Sequence, residues 1–290
     1  MAKPELIWGA KTYVMGVINL TPDSFSGDGV MTAGGLLQQA LAQAEKFIHD
    51  GAHILDLGAE SSRPGAKPVS AEEELTRLLP VLQEIKSRDM KALISVDTWK
   101  ASVAEACLKA GADWINDIWG LRADARLAQV IARHKATVVI MHNRSHSNAV
   151  RDLGALGSSY MGAEYAYLIP EVIADLKSSV RIALEAGIAE GRIILDPGIG
   201  FGKTVVQNLT LINQLDEFKT LGYPLLIGPS RKSFIGQVLD LPVEEREEGT
   251  AAAVAIGIAR SADIIRVHNV KMMARVAKMA DAITGRVFKN

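Results

Sequence analysis

Short apolar runs that end in polar residues punctuate this chain, with stretches of helical periodicity between them. Tyr13–Ile18 ends at Asn19, His53–Leu55 at Asp56, Ala92–Val96 at Asp97, and Trp114-Ile115 at Asn116-Asp117. Thr137–Met141 meets His142-Asn143-Arg144, and Ile193–Leu195 meets Asp196-Pro-Gly-Ile-Gly-Phe-Gly202. Leu225–Ile227 leads into Ser230-Arg-Lys-Ser233, and Asp263–Ile265 ends at Arg266-Val-His268. Brief, continuous apolar runs of this kind predict strands buried on both faces. Between them, Leu36–Ile48, Glu72–Ile85, Ala101–Ala110, Ala123–His134, Ala163–Ala186, Val205–Leu221, Glu248–Ala259 and Val270–Ile283 place apolar residues at helical spacing. Gly51, Gly111, Gly187 and Gly222 follow four of these segments as C-terminal caps. Strands and helices alternating eight times predict an α/β fold, a (β/α)8 TIM barrel forming a single domain over residues 1–290. The alternative is a doubly wound open sheet, which calls for fewer units and a glycine-rich turn after its first strand.

In such a barrel every strand is parallel, so the polar residues at the strand ends share one rim, where barrel active sites lie. Asn19, Asp97, Asn116, Asp196, Lys232, Arg266 and His268 therefore converge, although each has a plainer reading alone. Asp97 and Asn116 suit helix N-caps, and Asp196 before Pro197 suits the start of a turn. Asp97, Asn116, Asp196 and Lys232 combine acceptors, an amide and a cation, a set that matches a flat nitrogen heterocycle. Asn19, Arg266 and His268 instead suit phosphate or diphosphate with Mg2+, which binds mainly through phosphate oxygens and water. The sequence has no Gly-x-x-x-x-Gly-Lys-[Ser/Thr] loop, and Gly198–Gly202 reads either as a phosphate loop or as a tight turn.

Composition narrows the partners. A net charge of −1 leaves no electrostatic footprint for nucleic acid. A hydrophobic content of 48% over 290 residues is enough for one large core. No apolar run reaches bilayer length, and Met1–Glu5 has no signal-like apolar region, so no membrane partner is expected and a cytoplasmic enzyme is. The single cysteine, Cys107, sits among Ala104, Ala106 and Leu108 and is expected to pack inside a helix.

Seven segments, in order, carry a family resemblance: Met15–Ser26, Asp56–Ala66, Ser95–Thr98, Asn116-Asp117, Asp196–Phe201, Ser230–Ser233 and Arg266–His268. Together they resemble the dihydropteroate synthases, the pterin-binding barrels of folate biosynthesis, over essentially the whole chain. The resemblance implies condensation of 6-hydroxymethyl-7,8-dihydropterin diphosphate with 4-aminobenzoate, with loss of diphosphate. It implies that Asp97, Asn116, Met141, Asp196 and Lys232 bind the pterin, and that Asn19, beside Mg2+, holds the diphosphate with Arg266 and His268. Ser62, Pro64, Phe201, Lys232 and Ser233 would line the aminobenzoate pocket. Asp23 and Arg63 would join Asp97 and Lys232 in the catalytic set once the loops Thr21–Gly29 and Ser61–Ala66 close. A homodimer and competition by sulfonamides are implied as well.

The chain departs from the family pattern at Ala59 (commonly glycine), Ser62 (commonly threonine) and Asn269 (commonly aspartate), and in the run after His142. The segment Asn143–Ser159, rich in Ser, Asn and Gly, is expected to be a mobile loop. His142 and His146 are expected in surface or supporting roles, since no third metal ligand accompanies them. Two other classes compete with the synthase: a corrinoid-dependent methyltransferase on the same barrel, and a non-catalytic pterin binder. The cations at the last two strand ends argue against the first, and the two intact loop motifs argue against the second.

Overall fold

A computed structural model describes residues 5–21, 33–61, 65–145 and 150–286. Eight parallel strands build the central sheet: β1 (Tyr13–Asn19), β2 (Ile54–Gly58), β3 (Leu93–Asp97), β4 (Trp114–Asp117), β5 (Thr137–Met141), β8 (Ile193–Asp196), β9 (Leu226–Ile227) and β10 (Ile264–Val267). Their order is β8-β5-β4-β3-β2-β1-β10-β9. The two ends meet through a parallel bridge between Leu195 and Leu225, with Leu195 N donating to Pro224 O at 2.9 Å. The sheet thus closes on itself and leaves no free edge.

Around it run α1 (Ala33–His49), α2 (Ala71–Ser87), α3 (Ala101–Lys109), α4 (Leu127–Arg133), α5 (Leu168–Glu185), α6 (Val205–Asn213), α8 (Glu247–Ala259) and α9 (Val270–Thr284). A further short helix, α7 (Ser233–Leu239), starts directly after Lys232 and lies outside the eight predicted segments. The helix expected over Val205–Leu221 becomes α6 followed by a 3-10 turn, Leu215–Leu221. Within Asn143–Ser159, expected to be a mobile loop, lies most of a small antiparallel hairpin, β6 (Val150–Asp152) against β7 (Ser158–Tyr160), while residues 146–149 are outside the described residues. Composition does not report this pairing.

Packing follows the strand period. Tyr13, Met15, Ile54, Trp114, Val139, Ile194, Leu226 and Ile264 fill the barrel interior, with Leu6 against its base. Their neighbours Val14, Leu55, Ile94, Ile115, Val138, Leu195, Ile227 and Ile265 face the helices, in a second and larger cluster. Burying each such side chain contributes about 1.5–3 kcal/mol. Cys107 lies in that outer layer as a free thiol, and burial pushes it up to about 12. Among the described residues, no helix is long and apolar enough to cross a membrane.

Candidate active site

Side-chain alternation decides which strand-end groups meet. Residues of the same parity as the interior layer point inward: odd positions on β1, β3 and β5, even positions on β2, β4, β8 and β10. Asn19, Asp56, Asp97, Asn116, Met141, Asp196 and Arg266 all carry that parity and lie beyond the apolar layer. His268 keeps the parity of β10 just past its end. The register sets Gly58 beside both Asn19 and Asp97, Asn116 beside Asp97, and Asp196 beside Met141.

Arg266 organises the mouth. Its Nε donates to Asp56 Oδ2 at 2.7 Å and its Nη2 to Asp97 Oδ2 at 2.7 Å. Asn116 Nδ2 also donates to Asp56 Oδ2, at 3.2 Å. Burial pushes the Asp97 carboxyl upward, and the adjacent guanidinium pulls it back toward the charged form. Asp56 is fully buried, and its Oδ1 has no hydrogen-bond partner among the described residues. The sequence reading did not single out Asp56. The signal was its place: it follows Ile54 and Leu55 at the end of a buried strand, two residues before the glycine that meets Asp97.

Lys232 follows β9, the strand beside the β10 that carries Arg266. Burial lowers Lys232 to about 8, Arg266 pushes the same way, and Asp196 and Asp97 oppose both. Its Nζ lies 3.9 Å from the centroid of the Phe201 ring, a cation–π contact. A left-handed Arg231 (φ 57°) makes the turn before it, held by Arg231 N donating to Thr250 Oγ1 at 3.1 Å and by the Arg231–Glu247 ion pair at 2.7 Å. Ser233 opens α7. Burial raises Asp196 to about 6, and its Oδ1 accepts from Gly198 N at 2.7 Å. The glycine run is a tight turn whose amides are used internally: Phe201 N donates to Gly198 O at 3.2 Å and Gly200 N to Asn208 Oδ1 at 2.6 Å. Gly198 adopts φ 74°, and a Cβ there would strike the His142 carbonyl.

His268 N donates to Ser230 Oγ at 3.2 Å, and Ser230 Oγ lies 2.9 Å from His268 Nδ1. With the hydroxyl donating to Nδ1, the ring proton sits on Nε2, a donor suited to an anion. A cavity of about 430 Å³ opens beside Asn19 and His268 and is rimmed by Lys46, Arg231 and Lys271. Asn269 Oδ1 accepts from Met272 N at 3.2 Å and caps α9.

Behind Asp196 lies a buried relay that the motifs did not reveal. Lys203 Nζ reaches Gly198 O at 2.9 Å, Phe201 O at 3.0 Å and His142 Nδ1 at 3.0 Å, and His142 Nε2 meets Asp175 Oδ2 at 3.1 Å. His142 is fully buried, not at the surface, and burial followed by Lys203 lowers it to about 3. Burial lowers Lys203 to about 7 from a usual 10.5. Between those values the unfolded chain holds the extra proton, so this burial costs stability below pH 7 and the cost is relieved as pH rises. A Lys203→Met variant is therefore expected to lose part of the stability gain between pH 7 and 9. Urea unfolding at several pH values measures it, and an unchanged slope would refute the shift. Asp23, Ser62, Arg63, Pro64 and His146 lie outside the described residues. Glu60 accepts from Val69 N at 3.1 Å and from Lys100 Nζ at 2.7 Å, which closes the base of the connection after β2.

Residues 15–268 match the family of pterin binding enzymes. The chain is 50% identical to the dihydropteroate synthase of Bacillus subtilis over 285 residues, 98% of this chain and 93% of that one. It superposes on the dihydropteroate synthase of Clostridium difficile crystallised in the presence of pteroic acid, with a TM-score of 0.86, 41% identity, and 96% and 99% of the two chains covered. The Xanthomonas albilineans enzyme with 4-aminobenzoic acid gives a TM-score of 0.84 at 35% identity, covering 94% of this chain and 93% of that one.

Proposed function

The chain belongs to the dihydropteroate synthases of the pterin-binding family, transferases that form a C–N bond in folate synthesis, and on that premise we propose how its own residues divide the work. Asp97, Asn116, Asp196 and Lys232 bind the pterin ring, with Met141 as an apolar wall. The observation that carries this reading is the shared inward parity of Asp97, Asn116, Met141 and Asp196 around Arg266, with Lys232 held against the Phe201 ring beside them. Asp56 joins the set as the fixed counter-charge that orients Arg266. That guanidinium spends two N–H groups on the carboxylates and turns the rest of its five donors toward the diphosphate. His268 Nε2–H and Asn19 complete the diphosphate site.

Among the described residues, no three His, Cys, Asp or Glu side chains gather to hold a metal. Asn19 would hold Mg2+ that arrives with the diphosphate, an oxygen donor of the kind this ion takes. When bound there, the metal neutralises charge on the leaving group. Arg266 and His268 stabilise that developing charge from the protein side. Asp97 and Asp196 offset the positive charge left on the pterin methylene carbon. Phe201, Lys232 and Ser233, with Ser62 and Pro64, receive 4-aminobenzoate, whose neutral amine needs placing more than activating. Asp23 and Arg63 act from the closing loops and keep water from the cation. Sulfonamides compete for the same pocket.

We further propose one domain over the whole chain and a homodimer in the cytoplasm. Support for the dimer comes from Val206 and Leu209 on α6, Val238 and Leu239 on α7, and Ile256 on α8, exposed apolar residues on three helices that pack together. The decisive assay supplies dihydropterin diphosphate, labelled 4-aminobenzoate and Mg2+. Dihydropteroate is expected only when all three are present, and equal turnover in excess EDTA would remove Mg2+ from the account.

A further inference from the structure

The hairpin β6–β7 reaches the candidate site through one ring. Tyr160, the last residue of β7, stacks on Phe201 with centroids 6.1 Å apart and planes 27° from parallel. Phe201 is the same ring that carries the Lys232 ammonium at 3.9 Å. The chain after Tyr160 is then joined to the Phe201 turn: Ala163 N donates to Gly202 O at 2.8 Å, and Gln207 Nε2 to Ala163 O at 3.3 Å. Gly162 lies so close to Thr204 that an added Cβ would come within 3.0 Å of its backbone nitrogen.

The other end of the hairpin is clasped as well. Arg246, 1% exposed, donates from Nη2 to Leu156 O at 3.0 Å and from Nη1 to Arg231 O at 3.2 Å. One buried side chain thereby ties the hairpin turn to the turn that presents Lys232. A segment held at both ends and touching the site through an aromatic stack is built to hold that ring in place.

We propose that the β6–β7 hairpin is a fixed wall of the arylamine pocket, with Tyr160 a positioning residue that orients Phe201 for the second substrate. This rests on the assignment of Phe201 to that pocket. Losing the stack frees the Phe201 ring, and the effect falls on the substrate the ring touches. In Tyr160→Leu, the KM for 4-aminobenzoate is expected to rise about three- to tenfold, the usual worth of an aromatic pair. The KM for dihydropterin diphosphate should stay within about twofold, and Tyr160→Phe, which keeps the ring, should restore the parent value.

Phe201→Ala, measured beside it, separates the two readings. A raised aminobenzoate KM in Phe201→Ala with none in Tyr160→Leu overturns the positioning role alone. No change in Phe201→Ala overturns the pocket assignment and the proposal with it. Both substrates' KM values rising together in Tyr160→Leu, or no rescue by Tyr160→Phe, assigns Tyr160 to general stability and also overturns the proposal.

Discussion

Replacing Arg266 with methionine is expected to abolish turnover and to destabilise the barrel by about 2–4 kcal/mol at pH 7.5. Asp56, with no exposed surface, and Asp97, with a side chain 13% exposed, both rest on this one guanidinium at 2.7 Å. Removing one partner of a buried ion pair leaves uncompensated charge and costs about 3–5 kcal/mol when the pair is fully dry. Arg266 keeps 21% of its own exposure, so solvent absorbs part of the loss. Methionine preserves much of the stem, so the change reports charge more than volume. The pH dependence has a definite sign. Without Arg266 nothing offsets the burial that already pushes Asp97 up, so the native state of the variant holds still more protons than the unfolded chain. The variant should therefore recover stability relative to the parent as pH falls from 7.5 toward 5. Urea unfolding at both pH values tests this, and a parent-like stability and slope would remove Arg266 from the centre of the electrostatic scheme.

Lys232→Ala and Asp97→Ala are expected to lower kcat/KM by about 10²- to 10⁴-fold, the range for a preorganised charged group at a reacting centre. Their stability should diverge from that of Arg266→Met. Burial already lowers Lys232 toward its neutral form, so its removal relieves desolvation instead of stranding a charge. The thermal midpoint of Lys232→Ala should match or exceed that of the parent. Asp97→Ala leaves Arg266 its bond to Asp56 and keeps the mouth neutralised, so the barrel persists. Steady-state kinetics beside thermal melting makes the comparison. Turnover within about fivefold of the parent in either variant would take that residue out of the site.

The alternation of apolar strands with helical segments determined the barrel, because each strand carries its own burial signature within a few residues. The polar residues at the strand ends were legible for the same reason: a barrel with parallel strands sends every C-terminal end to one rim. Local motifs located Asn19, Asp97, Asn116, Asp196, Lys232, Arg266 and His268. What they could not specify is pairing across long sequence separations. Arg266 meets Asp56 across 210 residues and Asp97 across 169, and Lys203 meets His142 across 61. Asp56 looked like the opening of a loop motif, and only inward parity makes it the counter-charge of Arg266. The hairpin at Val150–Tyr160 was hidden by small polar residues, whose composition matches that of unstructured loops. Its order comes from Arg246 and from the Tyr160–Phe201 stack, both contacts with distant parts of the chain. Periodicity is written locally and survives in a single sequence; which charge faces which is a property of closure, and the barrel must close before it exists.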